Sequence, residues 1–162
     1  MDKKLREELN KQINEEIASA YIYQAMAGWM ESKNYEGFTK WMKIQAKEET
    51  AHADRFYAFL MDRGEKVEFL EIAKPENDFT SVLHIFEKAL KHEKFITARI
   101  NKLYELAKKT DDNPTKVMLQ WFITEQVEEE KNPTVMIEKL KLIKEGTGGF
   151  FYLDKEAGKR GA

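Results

Sequence analysis

Apolar residues recur along the chain at alternating steps of three and four residues in four long stretches. This spacing places them on one face of an α-helix and is typical of helices that pack in a bundle. Each helix would have about 28–30 residues and a length of roughly 40–45 Å. The pattern predicts helices over residues 3–32, 37–63, 80–109 and 114–145, and a short fifth helix over 150–158 after a glycine-rich turn.

The connection between the second and third predicted helices spans residues 65–79. A turn between adjacent antiparallel helices needs only about two to eight residues. The longer segment therefore predicts a crossover that runs along the bundle, with the helices ordered up, down, down, up. We predict that residues 1–162 form one all-α domain, a four-helix bundle with a long crossover and a short C-terminal helix.

Polar residues interrupt the core-facing stripe near the middle of every long predicted helix. A lone buried carboxylate costs several kcal/mol, roughly, even after the protein relaxes. Acidic residues at one level of all four helices therefore indicate a site whose charge a cation balances. The residues at these positions are Glu16, then Glu49 and His52, then Glu93, and finally Gln126 and Glu129.

Glu49 and His52 are three residues apart, so one helix can offer both side chains to the same metal ion. A mixture of carboxylates and imidazole suits iron, manganese or zinc, whereas an all-oxygen site suits magnesium or calcium. The four glutamates and the histidine could hold two divalent ions bridged by Glu49, about 3.5–4 Å apart. Such a pair can bind O₂ and exchange two electrons with it.

Composition narrows the remaining classes of function. Of the 162 residues, 42% are apolar and 35% are charged, the net charge is −2 and there is no cysteine. These values argue against a nucleic-acid partner and exclude disulfides and thiolate-bound metals. The first residues lack the apolar segment of a signal peptide, and no apolar run is long enough to span a membrane. We expect a cytoplasmic protein.

Four strings of the sequence resemble ferritin, specifically the bacterial non-haem type: NEEIASAYIYQ, KEETAHADRFY, KHEKF and LQWFITEQVEEEK. Di-iron carboxylate bundles commonly have two Glu-x-x-His motifs, and here Glu129 stands where the second histidine would be. The resemblance extends over nearly the whole chain, including GGFFYLDKE. It implies a ferritin-like fold, a homo-oligomeric shell of 24 subunits, and a ferroxidase that oxidises Fe(II) with O₂ or H₂O₂ and stores ferric oxyhydroxide.

The resemblance also assigns residues to iron. Glu16, Glu49 and His52 would bind the first iron, and Glu49, Glu93 and Glu129 the second. Gln126 would lie beside a bound oxygen species. The residues of a nearby third iron site would be Glu48, Glu125, Glu128 and Glu129.

Two aromatic residues have both a redox and a packing interpretation. Tyr23 corresponds to a tyrosine close to the iron pair, but a core tyrosine with a paired hydroxyl would fit the pattern equally well. Trp121 could donate an electron or simply pack.

The other two histidines, His84 and His92, are expected at the surface or in an interface. Pro133 should either bend the fourth helix or end it at Asn132.

Two neighbouring families are disfavoured, and two other functions remain as alternatives. Thr50 follows Glu49, where a haem-binding bundle would have methionine, so no haem is expected. A chain without cysteine lacks the cysteine-bound iron of rubrerythrin. A small di-iron peroxidase or oxidase without a storage shell is the main rival. A bundle whose buried acids only fix the register of its helices is the second.

Overall fold

The computed structural model describes residues 1–161 and confirms the all-α prediction, because those residues include five helices and no strand. None of these helices has a stretch that is both long and apolar enough to cross a lipid bilayer. The helices are α1 (Lys3–Ser32), α2 (Glu36–Asp62), α3 (Val82–Lys109), α4 (Asn113–Lys141) and α5 (Gly148–Ala157).

Side-chain caps fix where three of the helices begin. Asp2 accepts a hydrogen bond from the backbone of α1, Ser81 caps α3 and Asp112 caps α4, each at 3.0 Å. Capping by Ser81 starts α3 two residues later than the predicted position 80. The cap of α4 is also fixed by Arg63, which donates two hydrogen bonds to the Asp112 carboxylate.

The structure decides between the two alternatives for Pro133, and it places the end of α4 earlier than predicted. The helix continues through Pro133, so the alternative that it ends at Asn132 is wrong. A buried Pro133 and the packed residues after it keep the second half of α4 in the bundle. The helix then ends at Lys141 rather than 145, because the chain must turn through Gly146 (φ 82°) to begin α5.

Two apolar clusters fill the bundle, one at each end. The first contains the N-terminal half of α1, the C-terminal halves of α2 and α3, and the N-terminal half of α4. The second contains the opposite halves of the same helices together with α5. This distribution makes α2 and α3 parallel to each other, which confirms the predicted up, down, down, up order.

Two buried asparagines of α1 hold the crossover against the bundle. Asn10 and the backbone of Glu68 exchange two hydrogen bonds, both of 2.8 Å. One turn later, Asn14 accepts a hydrogen bond from the backbone N–H of Leu70 at 2.7 Å. Backbone groups of Glu68 and Leu70 in the extended segment therefore find hydrogen-bond partners on a helix.

The short helix α5 packs against the start of α2. The backbone N–H of Phe38 donates to the Asp154 carboxylate at 2.8 Å, and the Phe38 ring packs against the buried ring of Phe150. A Cβ atom at Gly37 would lie 1.6 Å from the backbone oxygen of Asp154. Only glycine at position 37 permits this close approach, so α2 and α5 are fixed relative to each other.

Candidate metal centre

A layer of buried polar side chains lies between the two apolar clusters. The helices bring together at this level all the residues for which the sequence predicted a mid-bundle cation site. Every one of them is less than 5% exposed. We call this set the buried polar layer: Glu16, Glu49, His52, Glu93, Gln126 and Glu129.

Two triads of potential metal ligands form within the buried polar layer. One triad consists of Glu16, Glu49 and His52, and in the other Glu49 is joined by Glu93 and Glu129. In each triad, one ligand atom per residue lies within 4.8 Å of the others. Since Glu49 belongs to both triads, the geometry offers two adjacent positions for cations that share a carboxylate.

Burial and mutual repulsion raise the pKa of several carboxyl groups in this layer. Desolvation and the charge of Glu49 hold the pKa of Glu16 and of Glu93 well above the usual range. The same two causes raise the pKa of Glu129 to about 7. These carboxyl groups therefore retain protons that ordinary surface glutamates lose, and a cation could displace those protons.

His52 faces carboxylates on two sides. Its Nδ1 lies 3.4 Å from Glu49 Oε2, and its Nε2 lies 3.9 Å from Glu125 Oε1. Burial alone would lower the pKa of His52, but the hydrogen bond and charge of Glu49 raise it overall. A metal ion at this position would replace the proton that the imidazole otherwise shares with its acidic neighbours.

Two glutamines orient the carboxylates of the layer. Gln12 donates to Glu16 Oε1 at 2.8 Å. Gln45 donates to Glu49 Oε1 at 2.8 Å and to Glu129 Oε2 at 2.6 Å. Sequence reasoning did not assign these glutamines to the site, although each lies four residues before a glutamate of the layer and so shares its helical face.

An arginine from another part of the chain completes each of these contacts. Arg99 Nε donates to Gln12 Oε1 at 2.9 Å, and Arg160 Nη2 donates to Gln45 Oε1 at 2.8 Å. Both arginines direct the amide N–H groups of the glutamines towards the carboxylates. Neither could have been found from the sequence, because the contacts span 87 and 115 residues.

Tyr23 and Gln126 both contact Glu93. The Tyr23 hydroxyl donates a hydrogen bond to Glu93 Oε1, and Gln126 Nε2 lies 3.2 Å from Glu93 Oε2. Burial and the neighbouring carboxylates hold the pKa of Tyr23 well above its usual range. Tyr23 is therefore a buried phenol with a paired hydroxyl, and it also directly contacts a carboxylate of the second triad.

A more open acidic pocket adjoins the layer on the side of α2 and α4. It has a volume of about 530 Å³, and Arg160 and Trp41 also line it. We call it the outer pocket. Its glutamates are the four residues of the predicted third site: Glu48, Glu125, Glu128 and Glu129.

The four glutamates line the outer pocket together, but they do not all belong to one ligand triad. Glu125 forms a possible ligand triad with His52 and Glu129, rather than with Glu48 and Glu128. The Glu48 side chain is 42% exposed and forms an ion pair with Arg160, and Glu128 is exposed. The structure thus gathers all four glutamates around one pocket without bringing them all to one point.

The remaining aromatic and histidine predictions have distinct outcomes. The Trp121 ring contacts His52 edge-on, with ring centroids 5.6 Å apart, so packing beside the layer is observed and the redox role stays a prediction. His92, which was expected at the surface or in an interface, is half-buried, and its Nε2 lies 2.6 Å from the Ser19 hydroxyl. The flank of α3 that carries His92 faces α1. His84 is also half-buried, and its Nδ1 pairs with Thr80.

The donor set of the buried polar layer fits a first-row divalent metal ion. Glu16 Oε2 is buried and has no hydrogen-bond partner among residues 1–161. Such an unpaired carboxylate oxygen is costly, and a cation would satisfy it. Carboxylate oxygens combined with one imidazole nitrogen match the ligand preferences of iron, manganese and zinc.

Comparison with known proteins gives one consistent family. The model of the Ferritin-like domain matches residues 6–143. The bacterial non-heme ferritin of Staphylococcus aureus (strain USA300) is 38% identical over 160 residues, which cover 99% of this chain and 96% of the relative. The same description applies to a relative from Staphylococcus haemolyticus, with the same identity and coverage.

Solved structures agree with the sequence relatives. An open-pore ferritin from the archaeon Archaeoglobus fulgidus is 40% identical, with a TM-score of 0.97 and 99% of both chains covered. A humanized archaeal ferritin is 41% identical with a TM-score of 0.97, covering 99% of this chain and 97% of the other. Identity and coverage are therefore high in both kinds of comparison.

Proposed function

The chain belongs to the ferritin family, and we propose that it stores iron by oxidising Fe(II) at the buried polar layer. The observation that carries this proposal is the pair of ligand triads that share Glu49. A role in iron storage agrees with the family. Membership of the family does not by itself establish the oxidation step or the two-ion centre. These two parts of the proposal depend on the geometry of this site.

The two triads would bind two substrate irons side by side. Glu16 and His52 would hold one Fe(II), Glu93 and Glu129 would hold the other, and Glu49 would bridge them. Ions bridged in this way lie about 3.5–4 Å apart. Two adjacent Fe(II) ions can supply the two electrons that convert O₂ and two protons into H₂O₂, or H₂O₂ and two protons into water.

Surrounding side chains would prepare the carboxylates for this role. Gln12 and Gln45 hold three of the carboxylate groups through their amide N–H donors. Tyr23 and Gln126 do the same for Glu93. Because the pKa values of Glu16, Glu93 and Glu129 are raised, iron binding would release protons from them at the place where oxygen reduction consumes protons.

Oxidised iron would leave the layer and collect as ferric oxyhydroxide inside a shell of 24 identical subunits, as the family resemblance implies. The outer pocket adjoins the layer and carries four glutamates. We include it in the proposal as a third, weaker iron position. Ions could pass between the layer and the pocket through Glu129, which lines both.

The test is anaerobic addition of Fe(II) to metal-free protein, followed by air, with absorbance and particle mass measured on one sample. The expected result is a fast phase that oxidises two or three Fe(II) per subunit in a particle of about 24 copies of the 19.1-kDa chain. Prior loading with two equivalents of Zn(II), which is not oxidised, should abolish that phase.

Other outcomes would separate the alternatives. Fast oxidation in a monomer or dimer would favour a small di-iron oxidase without a shell. Slow oxidation that Zn(II) does not change would show that the layer is not the site of reaction, and the buried acids would then have a structural role only.

A further inference from the structure

Arg160 carries a positive charge into the outer pocket. It lies three residues after the end of α5 at Ala157, and the close packing of Gly37 and Gly158 fixes α5 on α2. The Arg160 side chain is only 18% exposed. A long, flexible and charged side chain is thus held in one position, which requires specific contacts.

Three contacts hold the guanidinium group. Its Nη2 donates to the Glu48 carboxylate in an ion pair and to Gln45 Oε1 at 2.8 Å. Its central carbon lies 4.1 Å from the centroid of the Trp41 ring, in a cation–π arrangement. Charged hydrogen bonds of this kind are stronger than neutral ones, so Arg160 is an integral part of the pocket wall.

The charges that face the pocket are strongly unbalanced. The cationic residues that line it are Arg160 and Lys131, and Arg160 makes the ion pair with Glu48. A metal ion that used Glu48 as a ligand would compete with the guanidinium group for the same oxygen. Against these two cationic residues, four carboxylates line the pocket: Glu48, Glu125, Glu128 and Glu129.

The hydrogen bonding of the guanidinium group is incomplete. Arg160 Nη1 is buried and has no hydrogen-bond partner among the residues that the structure describes. An unpaired buried donor is unfavourable, so this position is less stable than one in which every N–H group is paired. Displacement of this guanidinium group by a metal ion therefore costs less free energy than displacement of a fully paired arginine side chain would.

We infer that Arg160 is the resident cation of the outer pocket and that it sets the pocket's affinity for a third metal ion by competing for Glu48. This inference rests on the proposed function, which supplies the metal. The third ion therefore binds more weakly than the first two, and it moves the guanidinium group away from Glu48 and from Trp41.

The first test is anaerobic calorimetric titration of the metal-free protein with Zn(II). Arg160→Gln removes the competing charge, so the third binding step tightens about tenfold, or about 1.4 kcal/mol. The two tight steps lose the contact between Arg160 and Gln45 and therefore do not tighten. Lys159→Gln is the matched control. It removes the same charge from the neighbouring residue, which is exposed and pairs with Glu156 outside the pocket. This control should leave all three steps at their original affinities.

The second test uses the fluorescence of Trp41 as a reporter of the guanidinium group. With Trp29 and Trp121 replaced by phenylalanine, the emission changes only as the third equivalent of Zn(II) binds. The change is lost when Arg160→Gln is added, because no guanidinium then lies over the ring. Glu48→Gln removes the other member of the same ion pair. In a protein that carries Glu48→Gln, adding Arg160→Gln gives no further gain in affinity for the third Zn(II).

The outcomes distinguish this inference from the proposed function. Absence of the two tight steps in the parental protein would overturn the proposed function itself. Two tight steps with no third step in any variant, or a third step that Arg160→Gln leaves unchanged or weakens, would overturn only the role of Arg160. An equal gain in the affinity of the third step in Lys159→Gln would also overturn the role of Arg160. Thermal melting and particle mass establish that each variant is folded and assembled, and Arg160→Lys, which keeps the charge, should stay near the parental affinity.

Discussion

The buried polar layer and the outer pocket are both rich in glutamate, but they balance their negative charge in different ways. In the layer, Glu16 and Glu93 are 1% exposed, and burial raises the pKa of both. In the pocket, the side chains of Glu48 and Glu125 are 42% and 32% exposed. Protons and amide donors offset part of the negative charge of the first group, whereas water and an arginine offset that of the second.

The difference shows that burial, rather than the number of carboxylates, decides how strongly a site needs a cation. Water can solvate the acids of the outer pocket, so a metal ion there gains little over the existing Arg160–Glu48 pair. Water does not reach Glu16 Oε2, which has no hydrogen-bond partner among residues 1–161. A metal ion should therefore bind first and more tightly in the layer.

The largest effect should come from the carboxylate that both triads share. Glu49→Gln removes the bridging charge but keeps the size of the side chain, and the rate of the fast Fe(II) oxidation phase should fall at least about 100-fold, because even supporting residues of metal sites are worth 10–100-fold. Stopped-flow absorbance measures this rate. Glu87→Gln, which neutralises an exposed glutamate of α3, is the control and should react at the parental rate.

The contact between α2 and α5 offers a way to change the pocket without replacing any residue of the buried polar layer. Gly37→Ala forces a methyl group against the backbone of Asp154, so α5 must shift and take Arg160 with it. The free energy of unfolding should fall by about 1–3 kcal/mol, as measured by denaturant titration. The two tight Zn(II) steps should remain.

Gly28→Ala provides the control for that substitution. Gly28 is exposed within α1, and a Cβ atom there would meet nothing within 4 Å. The free energy of unfolding should rise by about 0.5–1 kcal/mol, because alanine favours the helix more than glycine does. If both glycine variants changed stability equally, the close approach at Gly37 would not be what fixes α5.

The raised pKa of Glu129, about 7, predicts how the stability of the metal-free protein depends on pH. Above the unfolded-state pKa near 4.3, the unfolded chain loses this proton while the folded protein keeps it. Stability should therefore fall as the pH rises from about 5 to 7, by at most about 1.4 kcal/mol per pH unit for this group. Thermal melting across this range measures the slope.

Glu129→Gln isolates that contribution, because glutamine has the same size and does not titrate. The slope of melting temperature against pH should be flatter in this variant than in the parental protein. Identical slopes in the two proteins would mean that Glu129 is ionised in the folded state throughout the range, and the contrast between layer and pocket would lose its electrostatic basis.

The smallest effect should come from the exposed member of the outer pocket. Glu128→Ala should leave the first fast oxidation of two Fe(II) per subunit within about twofold of the parental rate, because Glu128 is exposed and belongs to neither triad. It should lower the amount of iron oxidised in later additions. Repeated stoichiometric additions of Fe(II), followed by absorbance, measure both quantities. A large loss in the first addition would place Glu128 at the centre itself.

Much of the fold followed from the sequence because local signals were strong. The three-and-four spacing located all four long helices, and the length of the crossover gave their order. The ends were less predictable, since α3 begins at Val82 rather than at residue 80 and α4 ends at Lys141 rather than at 145. Asn10 and Asn14 were not recognised, because the residues that they bind lie 54–58 positions away.

The site was predictable to the extent that its residues interrupt an apolar stripe. Glu16 and Glu93 stood out because a charged residue replaces an apolar one at a core-facing position. Gln12 did not stand out, since a glutamine at such a position has many explanations other than a role in a metal site. Arg99 and Arg160 reach the site from outside the stripe, so only the three-dimensional structure reveals their contacts.

The protonated carboxyl groups of the buried polar layer have a consequence for the lifetime of the protein. An ion that binds the folded layer but not the unfolded chain stabilises the fold by mass action, by about 2.7 kcal/mol at a free concentration one hundred times the dissociation constant. The metal-free protein, with Glu16 Oε2 unpaired in its interior, is the least stable form. Resistance to unfolding and to proteolysis would therefore rise with the supply of iron, and the abundance of the protein would follow the availability of the ion that it stores.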